Sequence, residues 1–485
     1  MPPNGSPISS KRWPVSTDPF ALTEPTRIHI VGVGGAGMSA IALVLAGMGH
    51  QVSGSDLKES PGLDRLRLVG VAVSVGHAPE NVPTDTDAVV ISTAVPRANV
   101  EVRAAEAAGI PVLRRAEVLA AIVATTRGIA VAGVHGKTTT SSMLALILRG
   151  AGTHPSFIIG GEVNEVGTNA AFDDGEWMVV EADESDGTFL ELGVEAAIVT
   201  NVEPDHLDHY GDFDTMVRAF TDFLARVPGP KVVCADDPIL RDIVAGRHDA
   251  GRPGPITYGP ITYGWSDDAD YRITDYEPGR VGSRYTLHRG TDVLGAIALP
   301  VPGRHNALNA AGAAAMASEL GLGFDDIARA LGAFGGVARR FQFRGEASGA
   351  TLVDDYAHLP GEIVQAIRAA RESGWPRVVV AFQPHRYSRT GRLWHEFADA
   401  FDGADQLILT DVYSAGEAPV PGVSGRLLLR AVLDAHPDLP VAYFPRRTEL
   451  ADRIPAYLRP GDLLLTLGAG DLTTLPDELL ARAGP

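Results

Sequence analysis

The sequence is poor in cysteine, in positive charge and in long apolar runs. Its 485 residues include a single cysteine, Cys234, which excludes an internal disulfide and any multi-cysteine metal site. Lys and Arg number 41 against 60 Asp and Glu, a net charge of −19. Nucleic acids and anionic membranes attract clustered cations, so neither is an expected partner. No apolar run is long enough to cross a bilayer, and we expect no membrane insertion.

The order of apolar and polar segments predicts an α/β fold with three domains. Residues 1–24 are polar and contain proline without the apolar core of a secretory signal, which predicts a disordered tail and a cytoplasmic protein. Strand-like and helix-like runs then alternate, which predicts parallel sheets covered by helices. The expected domains are a Rossmann-like domain at 25–125, a central P-loop-type ATPase domain with a small β region at 126–337, and a Rossmann-like α/β domain at 338–485.

Residues 133–141 form the most informative motif, Gly-Val-His-Gly-Lys-Thr-Thr-Thr-Ser, directly after an apolar strand. Glycines let backbone amides surround phosphate oxygens at a helix N-terminus, Lys137 reaches the outer phosphates, and the Thr138 hydroxyl can ligate Mg²⁺. Val131 stands where the usual P-loop has its first glycine, so the loop is a shorter variant. An ordinary strand-to-helix turn with an exposed lysine is the alternative.

A second glycine-rich loop precedes it. Gly32-x-Gly34-x-x-Gly37 follows a strand and opens a helix, and Asp56 ends the next strand. This arrangement is typical of dinucleotide-type phosphate binding, although the pattern does not say which phosphate compound is bound. A helix-capping role for Asp56 stays open.

Polar residues follow several other predicted strands. Glu181 is placed to hold Mg²⁺, and residues 201–209 add His206; carboxylates and phosphates favour Mg²⁺ or Mn²⁺ over zinc here. His305, Asn306 and Asn309 open an alanine-rich helix, where they either contact a purine or cap the helix. Four loops of the third domain, at 354–358, 383–389, 411–417 and 468–471, are expected to share one rim. Among them, Arg386 and Arg389 suit a carboxylate or phosphate.

Five motifs in this order resemble the Mur ligase family of ATP-dependent amide-bond-forming enzymes, over about residues 27–480. They are residues 31–39, 133–140, 181–186, 303–309 and 382–390. The resemblance implies that the first domain binds a UDP sugar, the second ATP and the third an amino acid. It further implies that L-alanine is joined to the lactyl carboxylate of UDP-N-acetylmuramate through an acyl phosphate, during peptidoglycan precursor synthesis.

The resemblance also implies roles for individual residues. Catalytic roles fall to Lys137, Glu181, His206, His358 and Arg386, and metal ligation to Thr138, Glu181 and His206. The UDP sugar would meet Gly32, Gly34, Gly35, Ala36, Gly37, Met38, Asp56 and Ser92. ATP would meet Gly133, Val134, His135, Gly136, Lys137, Thr138, Thr139, His305, Asn306, Asn309 and Arg340. The amino acid would meet Tyr356, His358, Arg386 and Arg389.

The sequence departs from the family pattern at two points, and three alternative functions stay open. The family usually has two histidines before the proline of the Asp-Asp-Tyr motif, whereas this chain has His358-Leu359. Residues 138–230 contain no lysine, which excludes from this stretch the carbamylated lysine of several sister ligases. A ligase that attaches a whole tripeptide to the same sugar, a non-catalytic nucleotide sensor and a nicotinamide oxidoreductase are the alternatives. We expect a monomer or weak homodimer.

Overall fold

The computed structural model describes residues 20–185, 187–205, 207–247 and 259–483, and the chain divides into two compact units at Thr125/Thr126. The predicted tail therefore lies mostly outside the described residues. Three separate sheets, each flanked by helices, confirm the predicted three-domain α/β fold class. In the part of the chain that is described, no helix is both long enough and apolar enough to cross a membrane.

The first unit holds a five-stranded sheet in the order β3-β2-β1-β4-β5 with all strands parallel. Strand β4 consists of consecutive buried apolar residues, as is typical of a parallel sheet that helices cover on both faces. The strands are β1 Arg27–Val31, β2 Gln51–Asp56, β3 Ala72–Val75, β4 Ala88–Ile91 and β5 Val112–Arg114. The helices are α1 Ala36–Gly47, α2 Pro61–Leu68, α3 Val100–Ala107 and α4 Arg115–Val123.

The second unit begins with a ten-stranded sheet in the order β15-β14-β13-β12-β11-β10-β6-β9-β7-β8. Its middle is parallel, and antiparallel hairpins form both edges. The strands are β6 Arg127–Ala132, β7 Ser156–Val163, β8 Thr168–Ala171, β9 Trp177–Glu181, β10 Ala196–Val199, β11 Lys231–Cys234, β12 Ile261–Gly264, β13 Tyr271–Pro278, β14 Ser283–Arg289 and β15 Asp292–Leu299. The helices are α5 Lys137–Gly150, α6 Leu207–Tyr210, α7 Phe213–Arg226, α8 Pro238–Val244, α9 Arg304–Glu319 and α10 Phe324–Gly332.

A six-stranded sheet in the order β16-β17-β21-β18-β19-β20 completes the second unit. Only β16 is antiparallel to its neighbour. The strands are β16 Gln342–Ala347, β17 Ala350–Asp355, β18 Val378–Phe382, β19 Gln406–Leu409, β20 Val441–Tyr443 and β21 Leu463–Leu467. The helices are α11 Pro360–Glu372, α12 Tyr387–Leu393, α13 Gly425–Ala435, α14 Leu450–Arg453 and α15 Leu475–Ala483.

Candidate active site

The loop between β6 and α5 has the geometry of a phosphate-binding loop. Gly136 precedes the helix with φ of 83°, a left-handed conformation that strains any residue with a side chain. A Cβ at this position would lie 2.5 Å from the Asn309 Oδ1, so side-chain bulk is excluded as well. The first turn of α5 therefore opens toward the loop with its backbone amides directed outward, as anion binding requires.

Lys137 is held by its own loop and by a buried carboxylate. Its Nζ donates to the Gly133 carbonyl at 2.6 Å and lies 2.8 Å from Glu184 Oε2. Burial raises the pKa of Glu184, and the charge of Lys137 opposes that rise. Glu184 lies within the 181–186 motif, but its pairing with Lys137 is created by the fold.

Thr138 and Glu181 lie together as a hard-oxygen donor pair. The Thr138 hydroxyl donates to Glu181 Oε1 at 3.1 Å, and the Gly160 amide donates to Oε2 at 2.7 Å. A hydroxyl and a carboxylate beside a phosphate loop are the donors that Mg²⁺ prefers, so this pair fits the predicted ion. His206, the third predicted ligand, lies outside the described residues, as does Asp186 of the acidic motif.

Asn201, at the end of β10, fixes the backbone of the phosphate loop. Its Oδ1 accepts from the His135 amide and its Nδ2 donates to the His135 carbonyl, both at 2.9 Å. The amide side chain therefore matches both backbone groups of one loop residue, which leaves the His135 imidazole free to contact other elements. We did not predict a role for Asn201, although its motif was noted.

A cleft of about 520 Å³ extends from the phosphate loop to the third domain. This volume is ordinary for a small-molecule site. The predicted residues that line it are His135, Gly136, Thr138, Thr139, His305, Asn306, Asn309 and Arg340. Burial lowers the pKa of His305 to about 4, so its imidazole is neutral at physiological pH. The Asn306 Nδ2 donates to the Pro302 carbonyl at 2.7 Å, whereas the N-cap of α9 is Gly303, so the capping alternative is wrong.

The lining of the cleft also includes a pair of stacked planar side chains that sequence reasoning missed, Trp265 and Arg304. The Arg304 guanidinium lies 3.8 Å from the ring centre of Trp265. Asp236 holds this segment by accepting from the Trp265 amide at 2.9 Å. Stacked planar groups of this kind suit the face of a nucleobase. No short motif marks the pair, because Trp265 follows β12 and Arg304 begins α9.

The predicted rim of the third domain gathers aromatic and cationic side chains. The His358 ring lies 5.2 Å from Tyr356 and 5.8 Å from His385, which stacks on Tyr413 at 5.7 Å. Burial lowers the pKa of His385 to about 4 and also lowers the pKa of His358. Both rings are therefore neutral near pH 7. His385 and Tyr413 were quoted in the predicted loops but not selected as site residues.

The two predicted arginines start α12. Arg386 adopts a φ of 68°, and its amide donates to the Tyr413 carbonyl at 2.8 Å. Arg389 donates to His385 Nδ1 at 3.2 Å, and burial lowers its pKa, a cost that a bound anion would relieve. The His358 Nδ1 lies 3.0 Å from the Tyr356 carbonyl oxygen, which can only accept. Nδ1 thus carries the proton, and Nε2 presents a lone pair.

The first unit builds its glycine loop without a lysine. Gly32 has φ of 76°, and the Gly34 amide donates to Asp56 Oδ2 at 2.9 Å, so Asp56 shapes the loop from the end of β2. The Met38 side chain is buried within α1, and Ser92 is half-buried after β4. The remaining predicted residues, Gly35, Ala36 and Gly37, lie between the loop and the first turn. Arg115, which was not predicted, lies 3.0 Å from a Cβ built on Gly37.

Comparison with known proteins agrees with this arrangement. Three family models match successive parts of the chain: the Mur ligase catalytic domain at 27–127, the Mur ligase middle domain at 131–317 and the Mur ligase glutamate ligase domain at 339–470. The UDP-N-acetylmuramate–L-alanine ligase of Desulforamulus reducens is 46% identical over 459 residues, covering 94% of this chain and 97% of the relative. The enzyme of that name from Rubrobacter xylanophilus is 47% identical over 461 residues, covering 94% and 100%.

Solved structures support the same relationship. The crystal structure of the UDP-N-acetylmuramate–alanine ligase of Thermotoga maritima matches with a TM-score of 0.79 at 28% identity, covering 94% of this chain and 98% of that one. A murein peptide ligase from Psychrobacter arcticus, 24% identical with a TM-score of 0.68, shares the fold over 95% of this chain and 99% of that one. Phosphate loop, acidic strand end and third-domain rim define a nucleotide-dependent ligase. The chain belongs to the Mur ligase family.

Proposed function

We propose that this chain joins L-alanine to the lactyl carboxylate of UDP-N-acetylmuramate, converting ATP to ADP and phosphate, in peptidoglycan precursor synthesis. The observation that carries this function is the single cleft on which the Lys137 loop and the third-domain residues Arg340 and Glu362 converge. The relatives that are 46–47% identical bear the name of this activity. We assign residues 25–125 to the UDP sugar, 126–337 to ATP and 338–485 to the amino acid.

The first step activates the carboxylate. A lactyl carboxylate oxygen attacks the γ-phosphorus of ATP, and the bond from that phosphorus to the β,γ-bridging oxygen breaks. ADP departs with the bridging oxygen, and the lactyl group becomes an acyl phosphate. Because oxide is a poor leaving group and phosphate a good one, this step makes the carbonyl reactive. Lys137, at the start of α5, neutralises charge on the transferring group together with the helix N-terminus.

The second step forms the amide. The neutral amine of L-alanine attacks the acyl carbon, and the tetrahedral intermediate expels phosphate while the nitrogen loses a proton. Arg386 and Arg389 hold the alanine carboxylate by forked hydrogen bonds. The neutral His358, with its Nε2 lone pair, is the candidate acceptor for the amine proton.

The phosphate site has residues that would hold Mg²⁺ or Mn²⁺. Thr138 and Glu181 would hold the ion, together with His206, and the ion would supply positive charge to the β- and γ-phosphates. The donor set is the one described above, in which Thr138 and Glu181 already lie within hydrogen-bonding distance. Removal of divalent cations with EDTA should abolish phosphate release, and Mg²⁺ or Mn²⁺ should restore it.

Location and assembly follow as further proposals. ATP and nucleotide sugars are cytoplasmic compounds, so we place the reaction in the cytoplasm. A monomer or weak homodimer stays a prediction, which sedimentation at several protein concentrations would check.

Phosphate release from ATP and Mg²⁺ tests the function directly. The purified chain is supplied with UDP-N-acetylmuramate and, separately, L-alanine, glycine, L-serine or the tripeptide L-alanyl-γ-D-glutamyl-meso-diaminopimelate. We expect release that requires the UDP sugar and is fastest with L-alanine. Phosphate release only when the tripeptide accompanies the UDP sugar would indicate the ligase that attaches a whole tripeptide. ATP binding without phosphate release under any condition would indicate a nucleotide sensor.

A further inference from the structure

His135 in the phosphate loop lies between two carboxylates from different domains. Its Nε2 is 3.6 Å from Glu203 Oε2 of the central domain, and its Nδ1 is 3.9 Å from Glu362 Oε1 of the third domain. Burial lowers the pKa of His135, but Glu203 and Glu362 outweigh burial, and the net effect is a raised pKa. The surroundings of His135 therefore favour the imidazolium form more than water does.

Glu362 also supports the loop that carries His358. Its Oε2 accepts from the backbone amides of His358 at 2.9 Å and Leu359 at 3.1 Å, which caps the N-terminus of α11. The same oxygen lies 3.3 Å from His358 Nδ1. Burial opposes ionisation of Glu362, but its interactions with His358, Arg340 and His135 lower its pKa, so the carboxylate form is favoured. One carboxylate thus contacts the nucleotide loop and the loop on the amino-acid side.

The two contacts differ in strength. The bonds to the α11 N-terminus have ordinary hydrogen-bond lengths, whereas the His135–Glu362 separation of 3.9 Å exceeds them. Approach of the third domain by roughly 1 Å would turn this long ion pair into a charge-assisted hydrogen bond. Asn201 holds the His135 backbone, so that approach must come from the third domain or from the imidazole itself.

We propose that Glu362 is a positioning residue that couples nucleotide binding to the amino-acid loop through His135. The proposal rests on the proposed function, because it assigns the phosphate loop to ATP and the His358 loop to alanine. Nucleotide at the loop strengthens the His135–Glu362 contact. Glu362 then holds the 356–362 segment in the arrangement in which the amine can attack.

Steady-state kinetics of a double-mutant cycle give the first test. His135→Gln and Glu362→Gln should each lower kcat/KM for L-alanine about tenfold. The double variant should have a kcat/KM no lower than that of the less active single variant. Losses that multiply in the double variant would show independent roles and overturn the coupling. Asp399→Asn is the matched control, because it removes a carboxylate from an exposed histidine pair, His436–Asp399 at 2.8 Å, outside the cleft.

Charge rescue separates coupling from structural damage. His135→Lys keeps a cation at this position and leaves the α11 cap untouched, so it should recover most of the kcat/KM that His135→Gln loses. The same lysine should give no recovery in a Glu362→Gln background. Recovery of kcat/KM both with Glu362 and with Glu362→Gln would mean that the cation acts only on the phosphates. The proposed coupling would then be wrong. This comparison stands even if Glu362→Gln weakens the fold of α11.

Hydrogen–deuterium exchange with the non-hydrolysable analogue AMP-PNP gives a readout that does not need ligation. In the wild-type chain the analogue should slow amide exchange at residues 133–137 and at 356–362, and in His135→Gln only at 133–137. Equal protection of 356–362 in both proteins would overturn the coupling alone. No protection of 133–137 in the wild-type chain would overturn the nucleotide assignment and the coupling with it. If the exchange pattern is as expected but L-alanine is not ligated, only the assignment of L-alanine as substrate would be wrong.

Discussion

The two glycine-rich loops share a backbone arrangement but differ in charge. The loop after β1 contains no lysine, and the amide of Gly34 donates to the Asp56 carboxylate. The loop after β6 ends in Lys137, whose Nζ pairs with the buried Glu184 at 2.8 Å. Both loops present amides at a helix N-terminus, which is enough to bind a phosphate. Transfer of a phosphoryl group also needs cations around the reacting oxygens, and only the second loop provides one from its own sequence.

The comparison separates binding from chemistry. If the first loop only recognises a nucleotide sugar, changes there should alter the affinity for that ligand and little else. Changes at the second loop should alter the rate of phosphoryl transfer as well. The predictions below test this division, beginning with the largest expected effect.

Lys137→Ala should lower kcat for phosphate release by about 10³-fold, because it removes the cation that neutralises the transferring group. The affinity for UDP-N-acetylmuramate, measured by calorimetry, should stay within about twofold, since that ligand is assigned to the other loop. A loss of less than tenfold in rate would contradict the role given to this lysine.

Gly136→Ala and Gly34→Ala should each weaken the binding of a different ligand. Alanine at 136 is strained at φ of 83° and clashes with Asn309, so affinity for AMP-PNP should fall about 30-fold. Alanine at 34 would place its Cβ 2.8 Å from Asp56 Oδ2, so affinity for the UDP sugar should fall about tenfold. Calorimetric titration of both ligands against both variants checks this. If each variant lost both ligands equally, the division between the loops would be wrong.

Glu184→Gln should lower kcat about tenfold, because Lys137 loses the buried charge that orients it. Glu176→Gln is the matched control: Glu176 pairs with Arg127 at 2.9 Å, but on an exposed surface where such pairs contribute little. Phosphate-release kinetics with both variants separate a positioning effect from a general loss of charge. Equal kcat values for the two variants would contradict the proposal that Glu184 orients Lys137.

Glu101→Gln should mainly affect stability in the first unit, with a change in kcat below about threefold. Burial opposes ionisation of Glu101, but bonds from His29, Ser55, Asn81 and the Ala78 amide lower its pKa to about 2. The lowered pKa stabilises the fold by roughly 3 kcal/mol above pH 4.5, and this contribution is lost as the pH falls toward 2. Hydrogen exchange of β1 to β4 should therefore be faster in the variant at pH 7, with a smaller difference at pH 4. A difference that grows as the pH falls would contradict this account.

Local sequence patterns were sufficient for many elements. The alternating strand-like and helix-like runs of the sequence include the segments that form α1 Ala36–Gly47 and β17 Ala350–Asp355. In both cases the signal is a short stretch rich in apolar residues, and such a stretch is a local property. The phosphate loop between β6 and α5 was predicted for the same reason, since strand, glycines and helix are consecutive in the chain.

Other elements were missed for identifiable reasons. The β7–β8 hairpin was not predicted, because Gly160 and Gly161 interrupt its apolar pattern. The fold requires Gly160, since a Cβ there would lie 2.8 Å from the Glu181 carboxylate. The edge strands β16 and β20 were also missed, because edge strands are partly exposed and carry a weaker apolar signal.

The sequence by itself determined the fold class, the family resemblance and the position of the two glycine-rich loops, because consecutive residues carry those signals. Only the tertiary structure decided which side chains meet. Glu184 pairs with Lys137 from 47 residues away, and Glu362 approaches His135 from helix α11 of the third domain. The neutral state of His305 and His385 likewise depends on burial, which the packed fold creates. Spatial proximity and desolvation arise only when distant segments pack together, so no local pattern can record them.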